Sequence, residues 1–174
     1  MSGLVFIGPP GSGKSTVGEA VAKRRRIPFF DLDRMIEETY QVSIETLFKQ
    51  NKESYFRLLE TQCLETFVKR PKPSAYVLAT GGGAVVLEKN RMLLKRLGKW
   101  VYLKASVETL FERVNGRPIF QGKSEEGLRF LLSQRADYYN EAQWVIEVDR
   151  KSTGKVIQEV MGRWEKMIQS EHEK

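Results

Sequence analysis

The sequence predicts an α/β fold in which a five-stranded parallel sheet carries helices on both faces. Three observations point there. Short apolar runs of four or five residues alternate with longer amphipathic stretches along the 174-residue chain. The short runs are rich in branched and aromatic side chains, as buried strands are. Glycine, proline and acidic residues follow several of these runs, where a parallel sheet turns into its crossover helices.

The first run, Leu4–Ile7, ends at Gly8-Pro9-Pro10, and a helical pattern over Lys14–Arg25 follows. Lys23-Arg24-Arg25-Arg26 then falls where that helix ends, and basic side chains there complement the helix dipole. A second strand is expected at Pro28–Asp31, a third at Tyr76–Thr80, a fourth at Trp100–Lys104 and a fifth at Trp144–Val148. Helical periodicity marks Asp33–Tyr40, Ile44–Val68 with a break near Asn51, Glu88–Arg96, Val107–Val114, Ser124–Glu141 and Thr153–Ser170. Between the last helices, Asn115–Lys123 has no period but carries Gly116, Pro118 and Gly122, so it reads as a mobile loop suited to closing over a site. Residues 1–174 are expected to form one domain, with the substrate-binding helices at about 33–68 and the lid at about 115–123.

Composition excludes several functions. Hydrophobic residues make up 41% and charged residues 29%, the balance of a soluble globular protein, and no apolar run approaches the ~18 residues that would cross a bilayer. A single cysteine, Cys63, rules out an internal disulfide and a cysteine-based zinc site, and a cytoplasmic location is expected. His172 is the only histidine and lies in a polar tail, so a Ser-His-Asp hydrolase is excluded and a general base must be a carboxylate, a lysine or a water. The net charge of +7 suits polyanionic ligands; the aromatic residues are not interleaved with basic ones as a nucleic-acid stacking surface needs, so no nucleic-acid or membrane partner is expected.

Gly8-Pro9-Pro10-Gly11-Ser12-Gly13-Lys14-Ser15 satisfies the phosphate-loop pattern G-x-x-x-x-G-K-[ST], directly after a strand and directly before a helix. Its glycines let successive backbone N–H groups curl around phosphates, and the helix that follows points its positive end at them. Lys14 is placed to reach the β- and γ-phosphates and the Ser15 hydroxyl to bind Mg²⁺. Such a pattern arises by chance in roughly one chain in a hundred of this size, before its placement is considered. Nucleoside triphosphate binding follows.

An Mg²⁺-binding carboxylate is expected at the end of another strand, and Asp31-Leu32-Asp33 supplies it at the edge where ligands bind in open α/β sheets. A period of two would send both carboxylates to one side of the strand. Asp33 has an equal claim to be only the cap of the next helix, whereas Asp31 is harder to explain as structure. Gly81-Gly82-Gly83 is either a bare turn or a place where backbone approaches a ligand closely.

Taken together the chain resembles the shikimate kinase family: G-x-x-G-x-G-K-S-T at Gly8–Thr16, D-x-D at Asp31–Asp33, F-R-x-x-E at Phe56–Glu60, G-G-G at Gly81–Gly83 and R-P at Arg117-Pro118, in the family's order over nearly the whole chain. The resemblance implies a P-loop kinase fold of the nucleoside-monophosphate-kinase type. It also implies transfer of the ATP γ-phosphoryl group to the 3-hydroxyl of shikimate, with ATP and Mg²⁺ as cofactors; a monomer is expected. On this basis Lys14, Asp33 and Arg117 are the catalytic side chains, Asp33 orienting the attacking hydroxyl. Gly11, Ser12, Gly13, Lys14, Ser15, Thr16, Arg113, Arg117 and Arg150 contact the nucleotide. Asp33, Arg57, Glu60, Gly81, Gly82, Gly83 and Arg135 contact shikimate, and Ser15 with Asp31 serves the metal. Without the other motifs, Arg57 and Arg135 would read as surface salt-bridge residues.

The sequence departs from the family at Lys52, where glycine is usual, in the lid, which reads Arg-Pro-Ile-Phe, and near Arg150, where a proline is usual. Two rivals remain at this point. A nucleoside monophosphate kinase would share the loop and fold but lacks its Asp-Gly-Tyr/Phe-Pro-Arg segment here. A GTPase-like switch would want Asn-Lys-x-Asp, which Asn51-Lys52-Glu53-Ser54 does not supply.

Overall fold

A computed structural model of the chain describes residues 2–114 and 124–172. The expected lid at 115–123, with Arg117, lies outside the described residues. Five strands form one sheet: β1 (Ser2–Ile7), β2 (Phe29–Asp31), β3 (Ala75–Ala79), β4 (Lys99–Lys104) and β5 (Trp144–Glu147). Their order is β2-β3-β1-β4-β5, and every pairing is parallel.

The alternation within each strand explains why both faces are covered. In β1, Val5 and Ile7 enter one apolar layer while Leu4 and Phe6 enter the other. Trp100 and Tyr102 of β4 divide from Val101 and Leu103 in the same way. A strand buried on both faces needs apolar residues at every position, and that makes the runs legible in sequence. On the Val5 side pack α2 (Leu32–Tyr40), α3 (Ile44–Lys49), α4 (Glu53–Lys69) and α5 (Glu88–Leu97). On the Phe6 side pack α1 (Lys14–Arg25), α6 (Val107–Val114) and α8 (Thr153–His172). Helix α7 (Glu125–Asn140) contributes to both layers, Leu128 to the second and Tyr139 to the first.

The expected elements are all present, with ends that move by one or two residues. The break in the long helical stretch falls at Asn51, whose φ of 55° reverses the chain between α3 and α4. Asparagine tolerates that left-handed conformation better than most residues. The Lys52 N–H then closes back on the Leu47 carbonyl at 2.8 Å.

Because all strands run the same way, the loops after β1, β2, β3 and β5 open at one edge of the sheet. The order reverses at β1, which lies between β3 and β4. A crevice opens at such a switch point, outside the carboxyl ends of the strands.

Candidate active site

The phosphate loop leaves β1 at this crevice. Gly11 and Gly13 take φ values of 83° and 94°, which side-chain-bearing residues rarely adopt, and Gly13 caps α1. Lys14 Nζ donates to the Pro9 carbonyl at 2.8 Å, so the lysine is folded back across its own loop and is largely buried. Ser12 is also buried, and its hydroxyl has no hydrogen-bond partner among the described residues. From α6, Arg113 Nη1 donates to the Gly11 carbonyl at 3.3 Å, and Val114 packs where a Gly11 side chain would have to go.

The two aspartates divide their labour differently from the reading of Asp33 as a cap. Asp31 is the cap of α2: its Oδ1 accepts from the backbone N–H groups of Asp33 at 3.1 Å and Arg34 at 3.3 Å. Its Oδ2 accepts from the Ser15 hydroxyl at 2.6 Å. The strand stops at Asp31, so the turn of the helix, and not the pleat of a strand, sets the placement of Asp33. Freed from capping, Asp33 turns into the crevice, and its Oδ1 is buried without a hydrogen-bond partner among the described residues. Burial, then the charges of Asp31 and Glu60, push its carboxyl up to about 7 against the pull of Lys14 and Arg57.

At the opposite wall, Arg57 of α4 donates from Nη1 to Glu60 Oε2 at 2.9 Å and from Nη2 to Glu53 Oε1 at 3.1 Å. Glu60 is fully buried and Arg57 keeps only 17% of its side chain exposed, so this is not a surface pair. Burial raises the Glu60 carboxyl and the facing Arg57 guanidinium opposes that rise. Asn90 of α5, also fully buried, stands behind Glu60 with Nδ2 3.5 Å from Oε2.

The three glycines after β3 thread between these groups. A β-carbon on Gly81 would lie 2.7 Å from Asp33 Oδ1, one on Gly82 2.4 Å from Pro10 Cδ, and one on Gly83 2.2 Å from Arg57 Nη2. The segment is therefore a close approach of backbone to the Asp33, Pro10 and Arg57 side chains, not a bare turn. The Gly82 carbonyl accepts from Arg135 Nη1 at 3.2 Å and from the Tyr139 hydroxyl at 2.5 Å, both from α7.

One cavity of about 620 Å³ joins these walls, within the size range of small-molecule sites. Gly11 to Thr16, Asp33, Arg57, Gly81 to Gly83, Arg113 and Arg135 all line it. Asp31 and Glu60 stand one contact behind the lining, on Ser15 and Arg57. Arg150 is not brought in: it is exposed, with a φ of 57°, and its neighbours Lys151 and Thr153 line the cavity in its place. The left-handed turn at Arg150 reorients the chain just before α8, and the residues that reach the cavity lie one and three positions further on.

Sequence reasoning missed Lys151, Thr153, Ile44 and Phe48, which line the cavity, and Tyr139, which donates to Gly82. Tyr139 lies four residues after Arg135, so the two share a helix face, and that spacing was the available signal.

Residues 10–165 match the model of the family described as shikimate kinase. A shikimate kinase of Thioalkalivibrio sulfidiphilus is 40% identical over 164 residues, covering 91% of this chain and 85% of that protein. One from Dictyoglomus turgidum is 37% identical over 170 residues, covering 93% and 96%. Among solved structures, the shikimate kinase of Acinetobacter baumannii in complex with shikimate superposes with a TM-score of 0.85 at 34% identity, covering 98% of this chain and 94% of that one. A gluconokinase from Sinorhizobium meliloti, at a TM-score of 0.67 and 18% identity, shares the fold. A phosphate loop on a parallel sheet, a buried acid facing it, and full-length likeness to enzymes of one activity agree: the chain belongs to the shikimate kinase family of ATP-dependent phosphotransferases.

Proposed function

We propose that the cavity binds ATP along the phosphate loop and shikimate against Asp33, Arg57 and Arg135, and that the γ-phosphoryl group passes to the 3-hydroxyl of shikimate. The observation that carries this reading is Asp33: a carboxyl at the crevice whose Oδ1 is buried and lacks any donor among the described residues, within the electrostatic reach of both Lys14 and Arg57. A hydroxyl placed there donates to that oxygen and is oriented for attack on phosphorus. As the new O–P bond forms and the bond to the leaving oxygen of ADP breaks, the hydroxyl proton passes to Asp33. Lys14 and the backbone N–H groups of the loop balance the phosphate charge, and the unpartnered Ser12 hydroxyl is one more donor.

Mg²⁺ fits beside the Ser15 and Asp31 oxygens, which lie 2.6 Å apart at the loop. No group of three or more acidic, cysteine or histidine side chains that would cage a metal exists among the described residues. That suits a cation held by one or two protein oxygens, with phosphates and water completing its shell. When bound it neutralises phosphate charge. Arg113 is assigned to the nucleotide and Arg117 to the transferring phosphate; Lys151 and Thr153 join the nucleotide end, where they line the cavity. Shikimate carries hydroxyls at one end and a carboxylate at the other, and the forks of Arg57 and Arg135 match the carboxylate. The site is assigned to a monomer working as one domain. The lone buried Cys63 suits a reducing cytoplasm, and no helix among the described residues is long and apolar enough to cross a membrane.

The test is ADP release with shikimate, AMP or CMP as acceptor, followed by phosphorus NMR of the product. Shikimate should be the good acceptor and the product its 3-phosphate; a preference for AMP, or phosphate on another hydroxyl, overturns the assignment. Arg57→Ala or Arg135→Ala should weaken shikimate binding by about 2–5 kcal/mol, the cost of leaving a partly buried charge without its partner, while the KM for ATP stays close to wild type. Unchanged KM for shikimate in both variants would remove the carboxylate site.

A further inference from the structure

The Gly82 carbonyl receives two donors from α7, and only one of them has another task. Arg135 Nη1 lies 3.2 Å away and lines the cavity, where, on the reading above, it turns to the shikimate carboxylate. Tyr139 is held elsewhere: its ring is buried and stacked on Tyr102 at a centroid distance of 5.0 Å and an angle of 21°. Tyr139 does not line the cavity; its hydroxyl donates to Gly82 at 2.5 Å, beside the Arg135 guanidinium. Burial pushes that hydroxyl up to about 12, so it stays a donor across the working pH range. On its other side, Gly82 packs against Pro10 of the phosphate loop so closely that no side chain fits. Any movement of this segment therefore reaches the acceptor wall and the nucleotide loop together.

We propose that Tyr139 is a positioning residue for the acceptor: it keeps the Gly82 carbonyl hydrogen-bonded when Arg135 leaves that carbonyl for the carboxylate of shikimate. A carbonyl oxygen has two lone pairs, so the free site satisfies it twice and the bound site once. Without the tyrosine hydroxyl, Arg135 would be the sole partner, among the described residues, of a part-buried carbonyl at the cavity wall, and taking up shikimate, which also displaces water from that wall, would leave the carbonyl without a partner, which is costly. Tyr139 thus releases the arginine for binding without itself touching the substrate. The inference rests on the assignment of Arg135 to the carboxylate.

A double-mutant cycle on kcat/KM for shikimate tests it, since that quantity can be read without saturation. Tyr139→Phe keeps the ring and its stacking and removes only the hydroxyl. In the wild-type background it should lower kcat/KM for shikimate about tenfold, with the KM for ATP within about twofold of wild type. In the Arg135→Ala background the same change should cost less than about twofold, because the carbonyl then has no partner to lose on binding. A general loosening of the loop would instead act equally in both backgrounds, and that result overturns the proposal, as does a Tyr139→Phe enzyme with unchanged kcat/KM. If Arg135→Ala alone leaves kcat/KM unchanged, the carboxylate assignment fails and the exchange fails with it.

Discussion

Lys14→Ala should abolish turnover and leave the sheet intact. The lysine is almost fully buried at the start of α1, where its ammonium group already sits inside the curl of the loop on the Pro9 carbonyl. A charge held in a partly dehydrated site interacts with phosphate far more strongly than one in bulk water, and it needs no reorganisation at the moment of transfer. Removing it should lower kcat/KM for ATP by about 10³-fold or more, at the upper end of losses seen when one fixed donor to a developing charge is deleted. The apolar layers on either side of β1 do not depend on the ammonium group, so Tm should move by less than about 5 °C. The coupled ADP-release assay and a thermal melt on the same preparation check both halves. Full activity in the folded variant would overturn the assignment of the loop, whereas a protein that no longer melts cooperatively would show that Lys14 holds the loop together.

The features that were legible are those whose cause is local. The inner strands β1, β3 and β4 declare themselves because each is buried on two faces, and the phosphate loop because its glycines, lysine and serine must stand at fixed spacing between a strand and a helix. The pairing of Arg57 with Glu60 follows from one turn of a helix. Three other matters turned on facts a linear reading does not hold. Which aspartate caps α2 depends on where β2 stops, and the strand ends one residue before the helix begins its count, giving the cap to Asp31. Which residue of the stretch after β5 reaches the cavity depends on the left-handed φ at Arg150, and that rotation exchanges Arg150 for Lys151 and Thr153. The hydrogen bond from Tyr139 to Gly82 joins residues 57 apart, and the burial of Asn90 behind Glu60 joins residues 30 apart. Such contacts appear only when the sheet order brings α7 and α5 beside the end of β3.

Asp33→Asn should reduce kcat by roughly 10²-fold or more while barely changing ATP binding, because the amide keeps the shape of the carboxylate but can neither accept the proton nor orient the hydroxyl by charge. The same substitution has a second consequence that is read without substrate. In the free chain, burial and the neighbouring Asp31 and Glu60 charges hold the Asp33 carboxyl at about 7, against 3.8 for an ordinary aspartate. Between those two values the folded chain binds a proton that the unfolded chain has lost, so this group's contribution to stability is fully present below about pH 4 and disappears as pH rises through 7. Asparagine carries no such proton. In chelator-containing buffer without nucleotide, the variant should therefore be more stable than wild type at pH 8, by roughly 1–3 kcal/mol. This is less than the full shift implies, because the cavity beside Asp33 admits solvent. The difference should shrink as the pH is lowered through 7 towards 4. Denaturant melts at several pH values measure it. A gap between the two proteins that stays constant across that range would mean that Asp33 titrates alike in the folded and unfolded chain and that its environment does not resist ionisation. A variant that keeps wild-type kcat would mean that another group receives the proton of the attacking hydroxyl, and the assignment of Asp33 would fall on that result alone.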